Sequence, residues 1–137
     1  MPETIRQVEY FYTIVDDRPG EGHWVLGALK DRGINLLAFT AFPVGAGRTQ
    51  LDLVPERSGE LQKAAAAAGI SLTGPRKAFV VQGDDRVGAL AETYRKLREA
   101  GVNVHAANGI SDGRGGYGFI VWVKPTDYDS AARALGI

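Results

Sequence analysis

The stretch "DDRPG" occupies residues 16–20, and "DDRVG" occupies residues 84–88. Each closes a hydrophobic run and precedes a segment with helical spacing. A shift of 68 residues lays Asp16, Asp17, Arg18 and Gly20 on Asp84, Asp85, Arg86 and Gly88. The same shift places Leu29 on Leu97, Gly33 on Gly101 and Asn35 on Asn103, so "DRGINL" overlies "EAGVNV" without a gap. A register held that far marks two copies of one supersecondary unit.

Both copies read as the same series of elements. Val8, Tyr10, Tyr12 and Ile14 alternate onto one face of a first strand, with "KAFVVQ" at residues 77–82 as its counterpart. In the second copy Val87, Leu90, Ala91, Tyr94 and Leu97 recur at helical spacing and predict one apolar stripe. The first copy has Gly22 where the second has Leu90, and "PGEGHW" makes a poor first helical turn. A longer, more mobile loop is expected there, with His23 and Trp24 facing a ligand or partner. Gly33 and Gly101 end the helices, where positive φ is easily adopted.

A second strand is expected over residues 34–42 and 102–108, and a third over 49–54 and 117–123, joined by the turns "VGAGR" and "SDGRGG". Leu61, Ala64, Ala65 and Ala68 then line another helix, capped by Gly69. Its counterpart, "TDYDSAARALG", has Thr126 as N-cap and Asp129 in the capping-box position. The first copy continues into a short strand, "ISLT", which the second copy lacks. The pattern is β-α-β-β-α-β, an α+β fold of two ferredoxin-like repeats at residues 1–74 and 75–137. The boundary falls at the Gly-Pro pair of "TGPRK", a turn signal. The missing strand leaves an unpaired sheet edge, which needs cover from a second copy or from residues 3–10.

Composition bounds the function. Sixteen basic residues balance sixteen acidic ones, which disfavours a nucleic-acid partner. The absence of cysteine excludes disulfides and thiolate chemistry. The start, "MPETIRQVEY", is no signal peptide, and no apolar run approaches the roughly 20 residues a membrane helix needs. A cytoplasmic protein without membrane contact is the expectation. His23 and His105 have no second ligand at metal spacing, so neither a metal nor a cofactor is expected. No Ser-His pair and no G-x-S-x-G motif suggests hydrolysis, and a non-enzymatic role follows.

Two motif matches weigh against one another. "GRGGYG" at residues 113–118 fits G-x-G-x-x-G but lies between two strands, so a hairpin turn is expected rather than a dinucleotide site. "GGYGFIVW" at residues 115–122 resembles the third-strand octamer of the RNA-recognition motif, with Tyr117 and Phe119 as base-stacking aromatics. Aligning Leu51 and Leu53 with Ile120 and Trp122 puts Arg48 and Gln50 at those positions in the first repeat, against that reading. The alternative is that Tyr117, Phe119 and Val121 form an apolar outer face covered by another sheet or subunit.

"DDRPG…GINL" and "DDRVG…GVNV" resemble the signature of the ACT domain, a small amino-acid-binding regulatory module. The nearest echo is the serine-sensing regulatory domain of phosphoglycerate dehydrogenase. Gly116–Tyr117 matches the Gly-Tyr pair that often opens that family's third strand. The resemblance spans nearly the whole chain as a tandem pair. It implies that Asp17 and Asp85, beside Arg18 and Arg86, hold the effector's polar groups. It implies backbone approach at Gly20 and Gly88, and effector contact by Asn35 and Asn103. The histidine of the serine-sensing relatives is replaced here by Val15 and Gly83. His105, two residues beyond Asn103 on the same strand face, lines the pocket or an interface.

Simple chemistry is consistent with these assignments. A helix start receives a carboxylate, an aspartate accepts from an ammonium, and an asparagine offers both a donor and an acceptor. On the local alternative, Asp17 and Asp85 cap helices while Asn35 and Asn103 satisfy turns. The resulting expectation is a regulatory homodimer binding an amino acid where a DDR-x-G loop of one unit meets the asparagine strand of another, answering to a metabolic enzyme or regulator. A ligand-free assembly module and a single-stranded RNA binder are the alternatives.

Overall fold

The computed structural model describes residues 3–137, which form two compact units. The first holds residues 9–76; the second joins residues 3–8 to residues 77–137. The elements run β1 (Thr4–Asp16), α1 (Glu21–Asp31), β2 (Leu36–Gly45), β3 (Arg48–Pro55), α2 (Ser58–Ala68), β4 (Thr73–Asp84), α3 (Ala89–Glu99), β5 (Ala106–Ser111), β6 (Gly116–Trp122) and α4 (Tyr128–Leu135). No helix among the described residues is long and apolar enough to cross a membrane.

In the first unit the strand order is β2-β3-β1-β4, the ferredoxin-like arrangement. Antiparallel pairing sets Phe11 opposite Leu53 and Thr13 opposite Leu51. Phe11, Leu51 and Leu53 bury against Val25 and Leu29 of α1 and Leu61, Ala64 and Ala65 of α2. Strand alternation therefore turns Tyr10, Tyr12 and Ile14 to the face away from the helices. That face also buries Asp52, opposite Tyr12 on β1 and Thr40 on β2. Gln50 Nε2 donates to its Oδ1 at 2.8 Å, and burial holds the Asp52 carboxyl above its usual pKa.

In the second unit the order is β1-β4-β6-β5. Phe79, Val81, Phe119 and Val121 form the sheet side of a core closed by Leu97 of α3 and Ala131, Ala132 and Leu135 of α4. The Phe79 and Tyr128 rings stack with centroids 4.5 Å apart. This repeat supplies only three strands of its own, and residues 4–8 of β1 lie along β4 as the fourth. Ile5 packs on the core, and Arg6 Nη2 donates to Gln82 Oε1 at 3.0 Å. The Tyr117 hydroxyl donates to the Glu3 carboxylate, and the Tyr128 hydroxyl lies 3.4 Å from Gln7 Oε1 and 3.2 Å from the Ala78 carbonyl.

Several local expectations need correction. "TGPRK" is no turn: β4 runs through it as one strand, beginning at Thr73 instead of at the "ISLT" segment. β2 and β5 begin at Leu36 and Ala106, which leaves Asn35 and Asn103 in the connections before them. The buried row of α3 is Ala89, Thr93 and Leu97, whereas Leu90 and Tyr94 are exposed and Val87 is fully so. Two rows with helical spacing existed, and periodicity alone does not say which one meets the sheet. α4 starts after a 3₁₀ turn at Pro125–Asp127 with Asp127 at the N-cap and no side-chain cap bond, so the Thr126 capping box is absent. α1 begins directly after Gly20 with Gly22 inside it, matching the start of α3 after Gly88 instead of a longer loop.

The outer-face reading of Tyr117, Phe119 and Val121 fails as well, because all three face the helices in the core. Pairing shows why. Leu51 sits opposite Thr13 as Phe119 sits opposite Val81, so the 68-residue register continues through the third strand, and Leu51 and Leu53 correspond to Phe119 and Val121, not to Ile120 and Trp122. Base stacking on Tyr117 and Phe119 loses its surface.

Two outcomes follow from the borrowed strand. Ile5→Asp puts a charge against the second core and is expected to cost about 2–3 kcal/mol in urea denaturation, with the loss reported by near-ultraviolet signals of Tyr117 and Tyr128. Burial, aided at Tyr117 by the bond to Glu3 and at Tyr128 by Asp129, pushes both phenols from 10.0 to about 12. The folded state keeps these protons where the unfolded chain has lost them. Their stabilising share is complete below pH 10 and declines as the pH rises toward and through 12. Alkaline denaturation of Tyr117→Phe should show a shallower decline over that window.

Candidate functional site

The two DDR-x-G loops are built alike. The Asp17 amide donates to the Gly47 carbonyl at 2.8 Å, and the Asp85 amide to the Gly115 carbonyl at 2.9 Å. Each loop is thus tied to the hairpin that joins its unit's second and third strands, β2–β3 or β5–β6. Gly20 and Gly88 occupy the N-cap positions with φ of 93° and 75°, and no side chain caps either helix. Asp17 and Asp85 are therefore not helix caps. The left-handed backbone disfavours any residue with a Cβ. An added Cβ at either glycine would meet no atom within 4 Å, so conformation, not crowding, demands glycine, and the backbone beside each helix start stays open.

Each loop borders a cavity. In the second unit a space of about 440 Å³ is lined by Asp85, Arg86, Leu90, Ile110, Ser111 and Tyr117, among others. In the first unit a space of about 320 Å³ is lined by Asp17, Arg18, Glu21, His23, Phe39 and Thr49, among others. The repeat register maps Asp17 on Asp85, Arg18 on Arg86, Glu21 on Ala89, His23 on Ala91 and Thr49 on Tyr117. These are equivalent sites with different walls. Arg18 is held by Asp16 at 3.4 Å and Glu21 at 3.3 Å. Arg86 lies 3.9 Å from Glu3, and Ser111 Oγ donates to Asp85 Oδ2 at 3.1 Å.

The asparagines lie elsewhere. Asn35 Nδ2 donates to Glu56 Oε2 at 3.0 Å while its carbonyl accepts from the Glu56 amide, so Asn35 fastens the connection after α1. Asn103 borders a separate depression with Tyr94, Arg98, Gly101, Val102 and Val104, along the C-terminal half of α3 and the connection after it. An eleven-residue helix is about 16 Å long, so in neither unit do the loop and the asparagine of the same repeat meet. His105 is exposed, and its amide donates to the Trp122 carbonyl at 2.8 Å.

The first three residues of "GRGGYG" lie in the hairpin turn between β5 and β6, with Gly113 and Gly115 at positive φ, and Gly116–Gly118 open β6. Asp112 Oδ1 accepts from the amides of Arg114 and Gly116 at 2.6 and 3.0 Å, which holds its carboxyl below the usual range. Among the described residues no group of three or more His, Asp or Glu is placed to hold a metal ion. Sequence reasoning passed over Ile110, Ser111 and Tyr117 as cavity walls, and Glu3 as the partner of Tyr117 and Arg86. The unbroken 68-residue register carried one recoverable signal. It pairs Tyr117 with Thr49 beside the loop.

No protein-family model and no curated protein matches the chain. Solved structures do share its fold. A protein from Bacteroides thetaiotaomicron aligns over 96% of this chain and 88% of its own, with a TM-score of 0.80 and 15% identity. The regulatory subunit of aspartate kinase from Thermus thermophilus, in its ligand-free form, aligns over 97% of this chain and 93% of its own, at a TM-score of 0.67 and 17% identity. The regulatory subunit of aspartate kinase from Thermus flavus aligns over 98% and 95%, at 0.64 and 18%. At these identities the likeness is one of fold: the paired α+β arrangement of this chain is that of aspartate kinase regulatory subunits over almost their full length.

Proposed function

We propose that the chain is a non-catalytic regulatory protein of the ACT type whose DDR-x-G loops receive an amino acid. The observation that carries this reading is the duplication of one constellation. In both units a loop with an aspartate and an arginine stands at a helix start that no side chain caps, beside a cavity. Asp17 or Asp85 suits an ammonium group, and Arg18 or Arg86 suits a carboxylate. The left-handed glycines keep backbone amides within reach of the ligand. Two relatives in fold are regulatory subunits of aspartate kinase, which supports a regulatory role exercised on a separate enzyme.

Asn35 and Asn103 lie a helix length from the loop of their own repeat, so an asparagine completing the cradle comes from outside that unit. In a homodimer the second copy supplies it. Effector binding then favours the assembled form by mass action, and a cytoplasmic enzyme or regulator reads the change. His105, exposed beside this segment, belongs to the same contact.

Calorimetric titration of the full chain with each of the twenty amino acids tests the reading. At least one is expected to bind. Asp85→Ala or Asp17→Ala should weaken it by about 1–3 kcal/mol, because either change leaves an ammonium without its acceptor. Asn103→Ala should weaken binding and dimerisation together, the latter read by light scattering. If none of the twenty binds, and none raises the melting temperature, the chain is an assembly module and the sensor reading is wrong.

A further inference from the structure

The carboxylate of Glu3 already sits at the second loop. Its Oε2 lies 3.9 Å from Arg86 Nη2 and is also the acceptor for the Tyr117 hydroxyl. Arg86 and Tyr117 both line the second cavity, so one oxygen from the residue before β1 holds two of its walls. The backbone makes room for this contact. Gly83 stands opposite Tyr117, and an added Cβ there would come within 3.2 Å of the Tyr117 ring and 3.3 Å of Glu3 Cα. Burial and the Glu3 bond together push the Tyr117 phenol up to about 12. The Glu3 side chain is 23% exposed and that of Arg86 is 54% exposed, so the guanidinium is held and yet reachable from solvent. The first loop differs. Arg18 is held by Asp16 and Glu21, close to it in sequence, and Ser71, which the repeat register lays on Glu3, carries no charge.

We propose that Glu3 is a built-in competitor at the second loop, from which the carboxylate of an incoming amino acid must take Arg86. This inference rests on the amino-acid reading given above and adds how that site is regulated. Asp85 and Arg86 are the only charged groups lining the cavity, and Glu3 cancels the one positive charge. With Glu3 in place, a ligand carboxylate meets two other carboxylates and a single guanidinium, and like charges that close disfavour one another. Asp85 serves the ammonium end, its Oδ2 oriented by the Ser111 hydroxyl. Because the same Glu3 oxygen serves Arg86 and Tyr117, yielding one loosens the other. The loop without Glu3 binds the ligand more tightly than the loop with it, and that difference is what moves Glu3. Occupancy of the cavity is thereby coupled to the residue that leads into the borrowed strand.

The test titrates the full chain and its Glu3→Gln variant calorimetrically with the twenty amino acids, and with the carboxamide of each that binds. Asp85→Ala identifies heat from the second cavity. Glutamine keeps the shape of glutamate and still accepts from the Tyr117 hydroxyl, so the fold should persist, as a thermal melt will show. Glu3→Gln is expected to tighten Asp85-dependent binding about threefold, the share that a partly exposed ion pair carries. The carboxamides lack the competing charge and should gain nothing, and in an Arg86→Gln background the gain should vanish. The ligand should also move the Tyr117 ring resonance, identified with Tyr117→Phe, toward its position in Glu3→Gln. Asp85-dependent binding that Glu3→Gln leaves unchanged or weakens would overturn the competition and spare the sensor reading. So would an equal gain for the carboxamides. Absence of binding by any amino acid to either chain removes both.

Discussion

Backbone pairing along β4 is the constraint on which the rest depends. A strand with one edge bare leaves a row of amide and carbonyl groups without partners, and also invites other chains to pair with it. The second repeat contributes three strands, and residues 4–8 of β1 fill the remaining place. Side chains then follow from the strand. Ile5 reaches the core, Arg6 meets Gln82, and Glu3 meets Tyr117. The core of the second unit, the position of its cavity wall and the environment of Arg86 all depend on those few residues.

The loops impose a second constraint of a different kind. A helix that starts on a glycine at positive φ has no room in its geometry for a capping side chain from that position. Amides of the first turn bond back to the loop's own carbonyls: Glu21 to Arg18 in the first unit, and Ala89 to Arg86 and Ala91 to Gly88 in the second. The residues that follow each glycine are where the repeats diverge. Glu21, Gly22 and His23 follow the first glycine, while Ala89, Leu90 and Ala91 follow the second. The scaffold is duplicated and its lining is not. Divergence of wall chemistry on a kept backbone is how one fold serves several ligands.

Much of this was legible in the residues. The ungapped register from Asp16 to Asn35 disclosed the repeat, and Gly33, Gly69 and Gly101 marked helix ends that the structure keeps. What could not be read was which of two apolar rows is inside. Tyr10, Tyr12 and Ile14 do share a face, yet Phe11 and Thr13 are the buried residues. Leu90 and Tyr94 have helical spacing with Leu97, yet Ala89 and Thr93 are the ones buried with it. On α3 the small residues Ala89 and Thr93 take the inner places, and on β1 Phe11 and Thr13 do, because packing of helix on sheet decides the face, a tertiary fact. The Gly-Pro pair at residues 74–75 read as a turn because nothing local says that β4 continues through it. Of the candidate site, the residues disclosed two loops of like construction, each beside a cavity; the distance between Asp85 and Asn103 is set by the helix between them, which a shared motif conceals.

The strand that begins at Thr4 has a consequence for heredity. A duplicated gene usually keeps two halves that can be shuffled, fused elsewhere or lost one at a time. Here a break between the copies would part the second from residues 3–8, and so from the neighbour along β4 that completes its sheet. Such a chain can vary the residues after Gly20 and Gly88 separately, since those are local, while Arg86 and Tyr117 stay bound to Glu3. It cannot readily pass on one half without the other, so the pair is the unit that selection transmits.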